Sequence, residues 1–192
     1  MQTEPDVEII NRAKLGDLVA FNLLMERHKN AVFHFSLRLL KIREEAEEVA
    51  QDVFVIVFKK IKDFKGESKF TTWLYRITFN ECISRIRKIK QKEKYMVIVE
   101  GEYHLSVIEK GYYMLDNNYQ SKIIERSLDE LDEESRTIIL MFYYHEKSVA
   151  EIADITQHSV TNVKTKLHRA RKSMLCFMEN KLKLSKSEML ER

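Results

Sequence analysis

Glycine and proline are scarce in this chain: four of one and one of the other in 192 residues. Sandwiches and barrels need many turns built on these two residues, so their scarcity excludes such folds and argues for helices. Cysteine occurs twice, at Cys82 and Cys176, with no second Cys or His at ligand spacing. That excludes a disulfide framework and a zinc cluster. Each cysteine sits on an expected helix beside apolar residues, and each is expected to be a buried small hydrophobe in a reducing compartment. No apolar run approaches the ~18 residues a spanning helix needs, and the N-terminus has no apolar signal core; a cytoplasmic location is expected. The six histidines are dispersed, and no HExxH, paired-Cys or Walker pattern occurs. The chain is expected not to be an enzyme, with no catalytic residue, metal, cofactor or small-molecule substrate.

Charge is abundant at 33%, and its modest net value of +3 hides segregation. Residues 64–92 carry eight bases against two acids, whereas residues 44–52 carry five acids and no base. Residues 159–172, SVTNVKTKLHRARK, hold five Lys or Arg and no acid. Val160, Val163, Leu167 and Ala170 recur there at helical spacing, with Met174 extending the row, while Thr161, Lys164, Thr165, His168 and Lys172 fall opposite. One face packs and the other suits a polyanion.

The preceding residues sharpen this. Ser148-Val149-Ala150-Glu151 fits a capping box opening a short helix over 149–155, with Ile152, Ala153 and Ile155 inward. Thr156-Gln157-His158 is a tight connection, and Ser159 caps the next helix. Short helix, turn and basic amphipathic helix make a helix-turn-helix, whose second helix enters a major groove.

The pattern divides the chain into a helical module over 1–92, a linker over 93–121, a second module over 122–183 and a polar tail over 184–192. Two helices broken near Gly16-Asp17 are expected over 7–40, a third over 44–61, a Gly66 loop over 63–68 and a fourth helix over 69–90. In the second module, helices are expected over 122–128 and from Asp132, as N-cap, to Tyr144. The fold class is all-α, two small helical domains on a linker.

A second nucleic-acid signal lies at 64–80, where aromatics alternate with bases and hydroxyls: Phe64, Lys65, Ser68, Lys69, Phe70, Thr71, Thr72, Trp73, Tyr75, Arg76, Phe79 and Asn80. Aromatic faces stack on unpaired bases and cations follow the backbone; a loop bending at Gly66 leaves room for an extruded base. Packing alone would equally place Phe70, Trp73 and Ile77 in a core. Glu48, Gln51, Asp52 and Val55 form an outer face on the third helix. It would repel DNA and suits a basic protein partner.

These pieces, in this order, closely resemble the bacterial extracytoplasmic-function sigma factors of the sigma-70 family. The resemblance rests on AEEVAQDVF (46–54), FKGESKFTTWLYRITFNECISRIRK (64–88), LDELDEESRTIILMFYY (128–144), SVAEIA (148–153) and SVTNVKTKLHRAR (159–171). It implies a transcription initiation factor with a region 2 domain, which binds the clamp of the RNA polymerase core and melts the −10 element, and a region 4 domain, which reads the −35 element. Carried over by motif, Glu48, Gln51, Asp52 and Phe54 resemble polymerase contacts. Lys65, Gly66, Glu67, Ser68 and Phe70 resemble the loop that captures a flipped −10 base, with Thr72, Trp73, Arg76 and Asn80 supporting the separated strand. Lys164, Thr165 and Lys166 would meet −35 bases and phosphates, surrounded by Ser159, Thr161, Asn162, His168, Arg169 and Arg171. The resemblance also implies an anti-sigma factor, often membrane-bound, as a partner beside promoter DNA. The chain departs from the family at Gln157-His158, where Gly-Ile is usual, and at Glu146, where Gly is common. The competing reading is a helix-turn-helix repressor or activator independent of the polymerase. It accounts for 148–172 but not for the aromatic loop or the acidic face.

Overall fold

The computed structural model describes residues 5–100 and 119–181, with side chains described over 5–92 and 123–179. The described residues form two compact units, divided between residues 100 and 119.

The first unit holds α1 (Asp6–Lys14), α2 (Leu18–Leu40), α3 (Arg43–Lys60) and α4 (Phe70–Glu100), with a single 3-10 turn at Ile61–Asp63. The break between α1 and α2 follows from Gly16, at φ 94°, and from Asp17, whose carboxylate accepts from the amides of Val19 and Ala20 as the N-cap of α2. Asp6 ties α1 to α2, pairing with Arg27 at 2.7 Å and His28 at 3.1 Å. The core is the packed apolar face of each helix: Ile9, Leu24, Phe35, Val49, Val53 and Leu74 are all essentially closed to solvent. Cys82 belongs to it, its thiol against the Ser36 hydroxyl, and burial pushes its pKa up to about 12.

The second unit holds α5 (Tyr119–Asp129), α6 (Glu133–Tyr143), α7 (Val149–Thr156) and α8 (Val160–Lys181). Asp132 caps α6 through the amides of Glu134 and Ser135. Ser148 and Glu151 form the reciprocal capping box at α7. Ile138, Leu140, Met141, Ile152, Ile155, Val163 and Leu167 close the core.

Several expectations are corrected. The fourth helix does not stop near Lys90 but runs to Glu100, so the first eight residues of the expected linker have helical backbone. Gln91-Lys92-Glu93-Lys94 are good helix formers and outweigh the β-branched cluster that follows. The side chains of Val97, Ile98 and Val99 lie outside the described residues, as do 101–118 and the tail over 184–192. Helix α5 starts at Tyr119 rather than 122. Cys176 is exposed, not buried, because its position on α8 turns away from α5 and α6. Val160 is also largely exposed. It occupies the first turn of α8, ahead of where that helix packs. Among the described residues no helix is long and apolar enough to cross a membrane.

Candidate nucleic-acid interfaces

In the first unit the loop between the 3-10 turn and α4 is held at both ends by aromatic side chains. Phe64 is 8% exposed and Phe70 6%. Their rings meet edge-on at 5.8 Å, and Trp73 lies 5.2 Å from Phe64 and 5.8 Å from Phe70. The His28 ring packs on Phe70 at 5.4 Å, and the Lys14 ammonium sits 5.3 Å over Phe64. Between these anchors Lys65, Gly66, Glu67 and Lys69 are exposed and Ser68 is half-buried. Gly66 sits at φ 77°, a left-handed bend that suits glycine, and no atom would meet a Cβ there within 4 Å. The result is an open loop on a rigid stem.

The structure places the other −10 candidates unequally. Asn80 is exposed, and Trp73 and Arg76 are half-buried. Thr72 is 2% exposed, and its hydroxyl finds no protein partner. Phe70 and Thr72 therefore face inward. Tyr75, part of the same aromatic pattern in the sequence, packs on Phe35 at 5.1 Å, and burial pushes its hydroxyl up to about 12. Of the aromatics in this stretch Trp73 and Phe79 stay half-buried, while Phe64 and Phe70 shape the loop. The braces Lys14 and His28 are not visible in the sequence, because they come from helices forty to fifty residues away.

Glu48, Gln51 and Asp52 are exposed on α3, as the sequence predicts. Arg85 from α4 reaches across to them: Nη1 lies 2.7 Å from both Glu45 Oε2 and Glu48 Oε2, and Nη2 lies 3.4 Å from Asp52 Oδ2. The Glu48 hydrogen bond is the main reason the guanidinium pKa is raised further, against the pull of burial. Glu48 and Asp52 remain more than half exposed, so each pair is worth ~0.2–1 kcal/mol. The spacing of Glu45, Glu48 and Asp52 on one helix face was a readable signal for such a cation. Phe54 is buried, but it lines an open apolar groove of about 700 Å3 between α2 and α3, shared with Phe21, Met25, Phe33, Val55 and Phe58. Val55 is 51% exposed and Phe58 50%.

In the second unit the turn between α7 and α8 puts Gln157 at φ 59°, ψ 33°. A glycine would adopt this conformation at no steric cost. Its side chain donates to the Asp154 carbonyl at 2.9 Å, partly offsetting the strain. Glu146 is also left-handed, at φ 50°. Ser159 Oγ accepts from the Asn162 amide at 3.1 Å, capping α8. Thr161, Asn162, Lys164, Thr165, His168, Arg169 and Lys172 are all exposed, and Thr165 donates back to the Thr161 carbonyl at 2.9 Å. Two candidates are drawn elsewhere. The Lys166 ammonium lies 2.7 Å from Glu134 Oε2 on α6. Arg171 lies over the rings of Phe142 and Tyr143, at 5.3 and 5.4 Å.

Comparison with known proteins identifies both units. Residues 24–92 match the model of sigma-70 region 2, and residues 121–174 match that of sigma-70 region 4. The ECF RNA polymerase sigma factor SigW of Bacillus subtilis is 33% identical over 172 residues, covering 86% of this chain and 92% of that protein. The ECF RNA polymerase sigma-E factor of Haemophilus influenzae is 28% identical over 184 residues, covering 92% and 95%. Among solved structures, CnrH in complex with the cytosolic domain of CnrY superposes with a TM-score of 0.66 at 23% identity, covering 91% of this chain and 97% of that one. RpoE of Bartonella quintana with the anti-sigma factor NepR gives 0.64 at 21%, covering 83% and 97%. With both modules matched in order and one relative a third identical over nearly its whole length, the chain belongs to the sigma-70 family as an extracytoplasmic-function sigma factor, a transcription initiation factor and not an enzyme.

Proposed function

We propose that the two units divide promoter recognition between an opened strand and an intact duplex. The observation that carries this is the contrast between an exposed loop on an aromatic stem and an exposed, acid-free helix face. In this reading Lys65, Gly66, Glu67 and Ser68 surround an everted −10 base, with Trp73, Arg76 and Asn80 along the separated strand. Phe70 and Thr72 support the loop from inside. Ser159, Thr161, Asn162, Lys164, Thr165, His168 and Arg169 read the −35 element, where cations find phosphates and guanine edges and Asn suits adenine. Glu48, Gln51 and Asp52, with the groove floored by Phe54, engage the clamp of the polymerase core. The modules span 1–92 and 122–183, joined over 93–121, and act in the cytoplasm.

Two similar folds were solved in complexes, CnrH with the cytosolic domain of CnrY and the Bartonella RpoE with the anti-sigma factor NepR. We propose an anti-sigma factor as a partner here too, covering the acidic face and its groove. Reconstitution tests the whole reading: purified chain is added to polymerase core on a genomic library, and start sites are mapped. Promoter-specific transcripts that require the chain are expected. Tight operator binding by the chain alone, with no engagement of core, would instead support a polymerase-independent repressor.

A further inference from the structure

Lys166 sits on the basic helix but is not offered to solvent as Lys164 and Lys172 are. Its ammonium is 2.7 Å from Glu134 Oε2, in the first turn of α6. The other oxygen of that carboxylate pairs with Nε2 of His158, in the turn that leads into α8. Asp132, the cap of α6, stands beside them; against the pull of burial, hydrogen bonds from Ser135 and then the charge of Lys166 hold its carboxyl below the ordinary value. All three members of the clasp are partly covered, with side-chain exposures of 25% for Lys166, 37% for Glu134 and 27% for His158. An ammonium so placed already has a charge-assisted partner of the kind a phosphate would supply. Reaching DNA means giving that partner up and leaving Glu134 to face a polyanion.

We propose that Glu134, aimed by His158, withholds Lys166 from the DNA backbone and so limits sequence-independent affinity. Glu134 is a positioning residue: it touches no base, and it sets how many cations α8 presents. The proposal rests on the reading of α8 as the duplex-reading helix. It gives His158 a purpose that an isoleucine at that place could not serve.

The test uses the full chain and two duplexes of equal length, one carrying the −35 segment of a promoter mapped by run-off transcription and one scrambled. Affinity is measured between 50 and 200 mM salt. Each phosphate contact contributes about 0.9 to the slope of log affinity against log salt. Glu134→Gln is expected to steepen that slope by about 0.9 on both duplexes, so its advantage over the parent shrinks about 3.5-fold across this salt range. Lys166→Met in the parent should leave the slope unchanged, and in Glu134→Gln should restore the parental slope. Should Glu134→Gln fail to fold, as judged by circular dichroism, Lys166→Met alone decides. If that variant flattens the slope by about 0.9, the ammonium is already on a phosphate and the proposal is overturned. An unchanged slope in well-folded Glu134→Gln overturns it too. A Lys164→Ala variant that keeps both the parental slope and the parental affinity for the −35 duplex removes the duplex reading of α8 itself, and the clasp proposal with it.

Discussion

The two proposed nucleic-acid surfaces are built in opposite ways. The loop of the first unit takes its form from what is buried beneath it: Phe64 and Phe70 are core residues, and the exposed part is a few small or charged residues around Gly66. The α8 surface takes its form from a regular helix, with function spread along the outside and Val163, Leu167 and Ala170 holding the inside. A loop moulded by aromatics can surround one base that has left a helix; a straight face can only lie along an intact one. The lesson is that aromatic residues beside an exposed loop can shape it from within the core without being offered to a ligand.

Substitution at the anchors gives the largest effect and separates the two designs. Phe70→Ala should destabilise the first unit by ~3–5 kcal/mol, as a large core deletion does, and leave the second unit unchanged; in chemical denaturation Trp73 fluorescence follows the first unit, and the part of the far-ultraviolet dichroism transition that does not move with it follows the second. A variant as stable as the parent would return Phe70 to the surface as a stacking residue. On the other side, Lys164→Ala should leave folding intact and weaken −35 duplex binding by ~1–3 kcal/mol if the contact is bidentate to a base. Fluorescence anisotropy on matched and mismatched duplexes would show it, and equal loss on both would make the contact a phosphate one.

Smaller effects sharpen the scaffold of the second surface. Burial raises the Asp132 carboxyl, but the amides of Ser135 and Glu134 and the charge of Lys166 outweigh it, so the folded value lies below the ordinary 3.8. Stability from a depressed carboxyl is present above the unfolded value and lost as pH falls through the folded one. Asp132→Ala should therefore cost about 1 kcal/mol near neutral pH, and the difference from the parent should shrink as the pH drops below 3.8. Thermal melts at a series of pH values check the sign. Least of all, Gln157→Gly should stabilise the second unit by about 0.5 kcal/mol, because relief of the left-handed strain is mostly offset by the freer unfolded chain. A loss instead would show that the Gln157 side-chain bond to Asp154 dominates.

Much of this was legible in local sequence. The caps at Asp132, Ser148 and Ser159, the break at Gly16-Asp17 and the loop at Gly66 are short-range chemistry, and the structure has them where the residues call for them. Gln157 and Glu146, the two positions where the resemblance leads one to expect glycine, both take left-handed backbone. The rest depends on partners distant in the chain. Nothing near Lys166 announces Glu134, thirty-two residues earlier, and a count of bases on α8 treats that lysine as free charge. Phe70 and Tyr75 carry the same residue types whether they stack on bases or pack on Phe64 and Phe35; only tertiary structure separates the two. The end of α4 was missed because a β-branched run outweighed good helix formers in the reading and not in the backbone.

The division of labour is tested most directly by binding the chain, assembled with polymerase core, to two separate probes: a single-stranded oligonucleotide carrying the non-template −10 segment and a duplex carrying the −35 segment. Lys65→Ala with Lys69→Ala should weaken the single strand and spare the duplex, and Lys164→Ala should do the reverse. Both variants weakening both probes alike would mean that one continuous basic surface, and not two specialised ones, meets the promoter.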